Sequence, residues 1–215
     1  MATTTQTYAT TYRYADRRTK ARYIALKYES ILSGSVLDVG CDERQLGAEL
    51  GGGARYVGVD LNASADLVID LERDDLPFED RSFDTVVCAD VLEHLDRCHA
   101  VFDELCRVAE SRVIVALPNP LRNLVEAIGS GSGGDLKHYG LPVDPPADRH
   151  KWLFGQRDAE RFIRERGARA GFEVEQLDLD MCGCRPWRDG EGTNLLDDQN
   201  FTGGNTWCVL RRRPA

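Results

Sequence analysis

The sequence predicts an α/β domain built on an open, largely parallel sheet with helices on both faces. Three observations predict it. Short apolar runs alternate with helix-patterned segments through the first half of the chain, which is the signature of strand–helix–strand units. One run, "TVVCAD" at 85–90, is almost continuously apolar, as suits a strand buried on both faces. Four of the first five strand ends supply a carboxylate, at Asp38, Asp60, Asp70 and Asp90, and open sheets of this kind take ligands in the crevice beyond those ends. The 215 residues suit one sizeable domain with a single core.

The small, polar, Thr-rich start, 1–16 at its widest, is expected to be flexible, and 17–215 to form the domain. Ala21, Ile24, Ala25, Tyr28 and Leu32 trace one face of a helix running from Asp16 to about Leu32. "SVLDVG" is the first strand and Glu43–Leu50 a short helix, ended by "GGG" at 51–53 because glycine tolerates a left-handed cap. "ARYVGVD" and "DLVID" are the next two strands. The 60–67 link between them is too short for a crossover helix, which leaves that sheet face to another segment or to a partner subunit, as in a homodimer. The polar "LPFEDRSFD" leads into the fourth strand, a helix spans about Cys98–Ala109, and "RVIVALP" is the fifth strand. Beyond Pro118 come a helix in "NPLRNLVEAIG", the flexible "SGSGG" and a long segment rich in Pro, His and aromatics. Long structured loops of this sort are more often functional than incidental, so 119–155 is expected to be an acceptor-binding insertion or lid. A helix in "QRDAERFIRERGARAG", a strand in "FEVEQLDLD", a loop through "RDGEGTNLLDDQNFTGG" and a last strand in "NTWCVLRRR" complete the chain.

Apolar content of 42% and charged content of 29% are those of an ordinary globular protein. The net charge of -9 disfavours nucleic acid as a partner, and "RRR" at 211–213 reads as a solvated strand end. No apolar run approaches the roughly 20 residues that span a bilayer, and the first residues lack the apolar core of a signal peptide; a cytoplasmic location is expected. Of seven cysteines, Cys41, Cys88, Cys106 and Cys208 sit in apolar contexts and are expected to be buried free thiols. "CGC" at 182–184 lacks a second pair at zinc-finger spacing, so no metal site is expected.

The first strand runs into Gly40, where α/β proteins commonly receive a cofactor. A dinucleotide site needs further glycines there so that the backbone can approach a pyrophosphate, but this chain writes Gly40-Cys41-Asp42-Glu43-Arg44. Acids beside a pyrophosphate are unfavourable. They are far less so beside a cofactor carrying an ammonium and a sulfonium. Asp60, 20 residues after Gly40, is suited to accept both hydroxyls of a ribose, and Asp70 can accept an adenine amino group.

Together "VLDVGC", "YVGVD", "DLERDDLPFEDRSFDTVVCADVLEHL", "ELCRV" and "VIVALPNP" resemble the class I S-adenosylmethionine-dependent methyltransferases, and within them the small type 11 and MetW-like branch. The resemblance covers about 17–120 well and the last helix and two strands more loosely. It implies a Rossmann-like seven-stranded sheet with an antiparallel last strand, and S-adenosylmethionine as cofactor. It further implies that Asp38 and the turn of Gly40 and Cys41 receive the methionine end. Asp60 with Leu61 would hold the ribose, Asp70 with Leu71 the adenine, and Asp90 with Val91 would line the site near the sulfonium. The family usually has glycines at 42 and 44. Here Asp42 narrows the approach to the cofactor's carboxylate while Arg44 can pair with it; the plainer account is that Asp42 and Glu43 stabilise the first turn of a helix.

Methyl transfer to a hydroxyl needs a base to take its proton. His94, in "VLEHL", and His138 and His150, in "KHYGLPVDPPADRHKW", are the candidates; each has the plainer alternative of a structural or surface histidine. On the N-terminal segment Tyr12, Tyr14, Arg17, Arg18 and Lys20 could hold an anionic acceptor such as a phosphate or carboxylate, the plainer account being a solvated helix face; Tyr14 and Arg18, with Asn119, Tyr139 and Trp152, are the candidate acceptor-binding residues. The expected activity is O-methylation of a small molecule such as a sugar, nucleoside or glycolipid intermediate, in a specialised-metabolite or polysaccharide pathway. The altered turn also motivates a second reading, a non-catalytic relative that binds cofactor or a partner without turnover. A nucleotide-dependent oxidoreductase is a third, against which the missing glycines speak.

Overall fold

The structure, a computed structural model, describes residues 8–129, 138–146, 148–180 and 198–214. Seven strands form one sheet: β1 Ser35–Val39, β2 Arg55–Asp60, β3 Leu67–Val68, β4 Phe83–Ala89, β5 Ala109–Leu117, β6 Phe172–Leu179 and β7 Thr206–Arg212. Their spatial order is β3-β2-β1-β4-β5-β7-β6. The first five run parallel, and β7 lies antiparallel between β5 and β6. The chain therefore builds outward from β1 in one direction and restarts on its other side with β4. The crevice at the ends of β1 and β4 is the topological switch point of the sheet.

Side-chain alternation along the strands sorts the core into two layers. Leu37, Val86, Val113 and Val115 pack with Phe102 and Leu105 of helix α3 (Cys98–Val108) and with Ile163 of α5 (Gln156–Arg169). Val36, Val87 and Ile114 point to the opposite face, where Ala21 and Ile24 of α1 (Arg17–Lys27) join Tyr28, Leu32 and the fully buried Trp207. Each such large apolar side chain contributes about 1.5–3 kcal/mol of burial. Both faces are thus covered, which is why the central strands read as unbroken apolar runs rather than alternating ones.

Several boundaries differ from those the sequence suggests. Asp16 caps α1 through a reciprocal box with Thr19, but the helix ends at Lys27 and the chain continues as a short 3-10 turn over Glu29–Ile31. Helix α2 (Gln45–Leu50) begins two residues late, because Asp42 and Arg44 have left-handed backbones, at φ of 49° and 62°. The N-terminal stretch expected to be flexible is packed from Tyr8 onward: Tyr8 is buried, its backbone NH donates to Gln176 Oε1 at 2.7 Å and its hydroxyl to Glu175 at 3.1 Å. Residues 1–7 lie outside the described ones. A one-turn helix, α6 (Gln199–Thr202), interrupts the loop expected before β7.

Cys41, Cys88, Cys106 and Cys208 are buried free thiols, and so is Cys98; "CGC" at 182–184 and "SGSGG" at 130–134 lie outside the described residues. The arginines at 211–213 are partly solvated, as a strand end would be, and also bonded: Arg213 is exposed and the Arg211 side chain is 42% so. Arg211 pairs with Glu173, Arg212 donates to the carbonyls of Cys106 and Ala109, and Arg213 donates to that of Phe172. Leu61, Leu67 and Val68, around the short 60–67 link, are exposed. Among the described residues no helix is long and apolar enough to cross a membrane.

Candidate functional site

A cavity of about 850 Å³ opens at the switch point, lined from the ends of β1, β2 and β4, from α1 and from residues 138–151. Its floor is the turn after β1. Gly40 has a φ of 82°, and its NH and that of Cys41 donate to the carbonyl of Val59. A Cβ at residue 40 would stand 2.1 Å from Val91 Cγ2, so only glycine lets the two strand ends approach this closely. Asp90 beyond β4 also has a left-handed backbone, at φ 57°. Such strain on non-glycine residues clusters where a side chain or backbone group must be aimed at a ligand.

Carboxylates dominate the floor. Asp38 is 7% exposed and accepts a hydrogen bond from the Tyr56 hydroxyl at 2.7 Å. Burial pushes its carboxyl up to about 7, against the pull of the Tyr56 hydrogen bond and with added repulsion from Asp60. Asp60 accepts from the backbone NH of Asp42 at 2.8 Å and from that of Asn62 at 2.9 Å, one bond to each oxygen. A carboxylate has about four acceptor sites, so this carboxylate can still receive two hydroxyls. Asp70 accepts from Glu72 NH at 3.0 Å and sits next to the buried Leu71. Burial also drives the Cys41 thiol up to about 12, so it is a packing group and not a nucleophile.

Helix α1 forms the roof. Arg17, Lys20, Ala21 and Ile24 line the cavity, at the i, i+3, i+4, i+7 spacing of one helix face. Arg17 pairs with Asp42 at 2.9 Å, and Lys20 with Asp90. Asn205, from the segment before β7, donates to the other oxygen of Asp90 at 3.3 Å. Tyr14 lines the cavity and accepts from Trp207 Nε1 at 3.4 Å.

The remaining wall is a histidine cluster. His138 and His150 stack at 4.3 Å between ring centroids with an interplanar angle of 4°, and His94 meets both rings edge-on, at 5.6 and 4.6 Å. Asp148 stands 2.7 Å from His94 Nδ1 and 3.6 Å from His138 Nδ1. Beside them Glu93 is 1% exposed and neither of its oxygens has a hydrogen-bond partner. Burial, with Asp90 adding repulsion, raises its carboxyl far above the usual range.

The cavity gathers Asp38, Gly40, Cys41, Asp42, Asp60, Leu61, Asp70, Leu71, Asp90, Val91, His94, His138, His150 and Tyr14 of the residues expected at the site. Five others fall elsewhere. Arg44 turns away: its guanidinium pairs with Asp66 at 2.8 Å and lies over the Tyr56 ring, because its left-handed backbone aims the side chain toward β3. Arg18 is exposed, about 100° around α1 from Arg17. Asn119 is 3% exposed and is spent on structure, donating to the carbonyls of Asn200 and Gly203 and accepting from Arg122 NH at the start of α4 (Pro120–Gly129). Tyr139 and Trp152 stand behind the cluster. The Tyr139 hydroxyl lies 3.0 Å from His150 Nδ1 and donates to the Trp152 carbonyl, while Trp152 Nε1 donates to the Leu95 carbonyl.

Arg17 and Lys20, weighed with Tyr14 and Arg18 as residues that could hold an anionic acceptor, do line the cavity, and so do Asn205 and Glu93, which the sequence did not single out. The phase of α1 was the available signal for the first two. For Glu93 the signal was an acid embedded in the apolar "VLEHL"; a charge in such a run is rarely buried without a task.

A family model described as a methyltransferase domain matches residues 9–177. No curated protein matches the sequence. Among solved structures the chain is similar to an S-adenosylmethionine-dependent methyltransferase from Archaeoglobus fulgidus, at 17% identity and a TM-score of 0.61 over 94% of this chain and 96% of that one. It is similar to magnesium protoporphyrin IX methyltransferase from Synechocystis PCC 6803, solved with bound SAH, at 17% identity and TM-score 0.54 over 96% and 91%. It also resembles the [4+2]-cyclase SpnF, at 16% identity and TM-score 0.59 over 97% and 87%. At these identities the likeness speaks to the fold alone, and the presence of a cyclase among the matches underlines that chemistry belongs to the site.

Proposed function

Since the chain belongs to the methyltransferase-domain family and is an S-adenosylmethionine-dependent enzyme of that family, we propose that it methylates an oxygen of a small-molecule acceptor. The observation that carries this reading is the convergence of His94, His138 and His150 on the same cavity as the acid-lined floor. The residues fit the cofactor. The floor presents Asp38, Asp42, Asp60, Asp70 and Asp90, a field suited to an ammonium and a sulfonium and hostile to a pyrophosphate. The bare Gly40 lets the backbone come close, and the volume lies within the usual range for small-molecule sites.

Bound S-adenosylmethionine supplies an electrophilic methyl carbon on a positively charged sulfur. In our reading Asp60 receives the ribose hydroxyls on its unused acceptor sites, and Asp70 the adenine amino group. Asp38 meets the ammonium, and Arg17 rather than Arg44 meets the carboxylate. One of the clustered histidines takes the proton of the acceptor O–H as the oxygen bonds to the methyl carbon. The bound cofactor would supply the leaving group as well, its sulfonium keeping the electron pair of the carbon–sulfur bond and departing as a neutral thioether. Positioning of the acceptor against the methyl carbon supplies much of the rate.

The test is turnover. Purified protein with labelled S-adenosylmethionine is offered hydroxyl-bearing acceptors (sugars, nucleosides, phenols), and products are located by mass spectrometry and NMR. Methylation at oxygen supports the reading. Methylation at nitrogen or carbon overturns the choice of atom, and tight cofactor binding without any turnover favours the non-catalytic alternative.

A further inference from the structure

We propose that Glu93, His94 and His150 form a binding site for a divalent transition-metal ion on the wall of this cavity. One potential ligand atom from each lies within 4.8 Å of the other two. Ligand atoms around an ion at about 2.0–2.2 Å stand roughly 3–3.5 Å apart, so side-chain adjustments of about an ångström close the set.

Three features point to a cation. Glu93 lines the cavity at 1% exposure with both oxygens unpaired. Leaving a buried polar group unsatisfied costs about 1–3 kcal/mol and more if it is charged, which a bound cation would offset. His94 turns Nε2 toward this carboxyl, 3.8 Å from Oε1, while Asp148 stands 2.7 Å from its Nδ1, a charge that favours the ring proton on that nitrogen. His150 likewise has an oxygen partner on its Nδ1 side. The Tyr139 hydroxyl gives its proton to the Trp152 carbonyl at 2.8 Å and so receives the Nδ1 proton of His150 at 3.0 Å. With the proton of each ring on Nδ1, the lone pair lies on Nε2. Metal-binding histidines are characteristically oriented by such carboxylate and oxygen partners.

Two imidazoles and one carboxylate suit zinc, cobalt, iron(II) or manganese better than magnesium or calcium, which prefer oxygen alone. Three protein ligands leave positions open. On the oxygen-acceptor reading above, on which this role rests, an open position would hold the acceptor hydroxyl and ease loss of its proton.

The experiment is calorimetric titration of chelator-stripped protein with Co²⁺ and with Zn²⁺, alongside the visible absorption of the Co²⁺ form. Glu93→Gln, His150→Asn and His94→Asn are titrated in parallel, each checked for folding by circular dichroism and thermal unfolding without metal. The proposal expects one ion per chain, a Co²⁺ spectrum free of thiolate charge-transfer bands, and binding weakened at least about tenfold in each folded variant. Absence of binding in the wild type overturns it. So does wild-type affinity in His150→Asn, or a thiolate signature that would assign the ion to cysteines. Titration with S-adenosylhomocysteine separates the two readings: metal binding without cofactor binding sinks the methyl-transfer role and leaves the metal site standing.

Discussion

Gly40 and Val91 meet where β1 and β4 end, so closely that a Cβ on residue 40 would lie 2.1 Å from Val91 Cγ2. The contact joins the two strands on either side of the switch point, and the cavity floor depends on it. Gly40→Ala must both strain a left-handed backbone and push Val91 away. It is expected to lower stability by about 1–3 kcal/mol and to weaken S-adenosylhomocysteine binding at least tenfold. Calorimetry and denaturant unfolding of the variant read both numbers; wild-type affinity would mean that the floor is not where the cofactor sits.

Asp60 holds the NH groups of Asp42 and Asn62 and keeps acceptor sites to spare. Removing it takes away both the proposed ribose contacts and the brace of the turn. Asp60→Ala is expected to lose about 3–6 kcal/mol of cofactor binding, at about 1.5–3 kcal/mol for each of two hydrogen bonds to a charged group. Asp60→Asn should recover part of it. An affinity within twofold of wild type in the alanine variant would remove Asp60 from the cofactor site.

Arg44 and Arg17 make opposite predictions. Arg44 is paired outward with Asp66, so Arg44→Ala is expected to leave cofactor affinity within about twofold, as surface changes usually do. Arg17 lines the cavity beside Asp42, and Arg17→Ala should weaken binding several-fold if it meets the carboxylate. Finding the reverse order in side-by-side titrations would restore Arg44 to the site.

Asp38 gives a pH dependence with a definite sign. Its folded value, about 7, lies above the ordinary 3.8, so the native state holds a proton that the unfolded chain has lost. The corresponding stability is complete below pH 3.8 and is lost as pH rises through 7. Asp38→Asn should therefore unfold at a higher temperature than wild type at about pH 8, with a shallower decline between about pH 4 and 7. An ammonium facing Asp38 needs the ionised form, so cofactor affinity of the wild type should rise as pH passes through about 7. A flat affinity profile across that range would break the Asp38–ammonium assignment.

Much of the frame was legible in sequence because it depends on local patterns. Apolar runs marked the strands, Gly40 marked the turn, and the acids at 38, 60, 70 and 90 fell at strand ends, where the pleat and the parallel connectivity leave side chains facing the crevice. Choices between neighbours were not legible. Arg17 and Arg18 are equivalent as text and both are exposed, and only the phase of α1 against β1 and β4 sets Arg17 at the cavity rim beside Asp42 and Arg18 away from it. Arg44 looked available for a carboxylate until Asp66 and Tyr56, brought beside it by the β2–β3 edge, claimed its guanidinium.

By itself the sequence determined the sheet, its helices, the class of cofactor and the acid-lined floor, since periodicity and strand-end chemistry are written within a few residues. Tertiary structure alone decided the histidine wall. His94 follows β4 directly, whereas His138 and His150 arrive from the segment after α4, and nothing local says that their rings stack, with Asp148 beside His94 and the Tyr139 hydroxyl 3.0 Å from His150 Nδ1. It also decided that Glu93 would be buried with no hydrogen-bond partner, because burial is a property of what packs around a residue. Asn119 shows the converse: a polar side chain at a strand end, where ligands are expected, was taken up by two carbonyls near α6 that lie far along the chain and close in space.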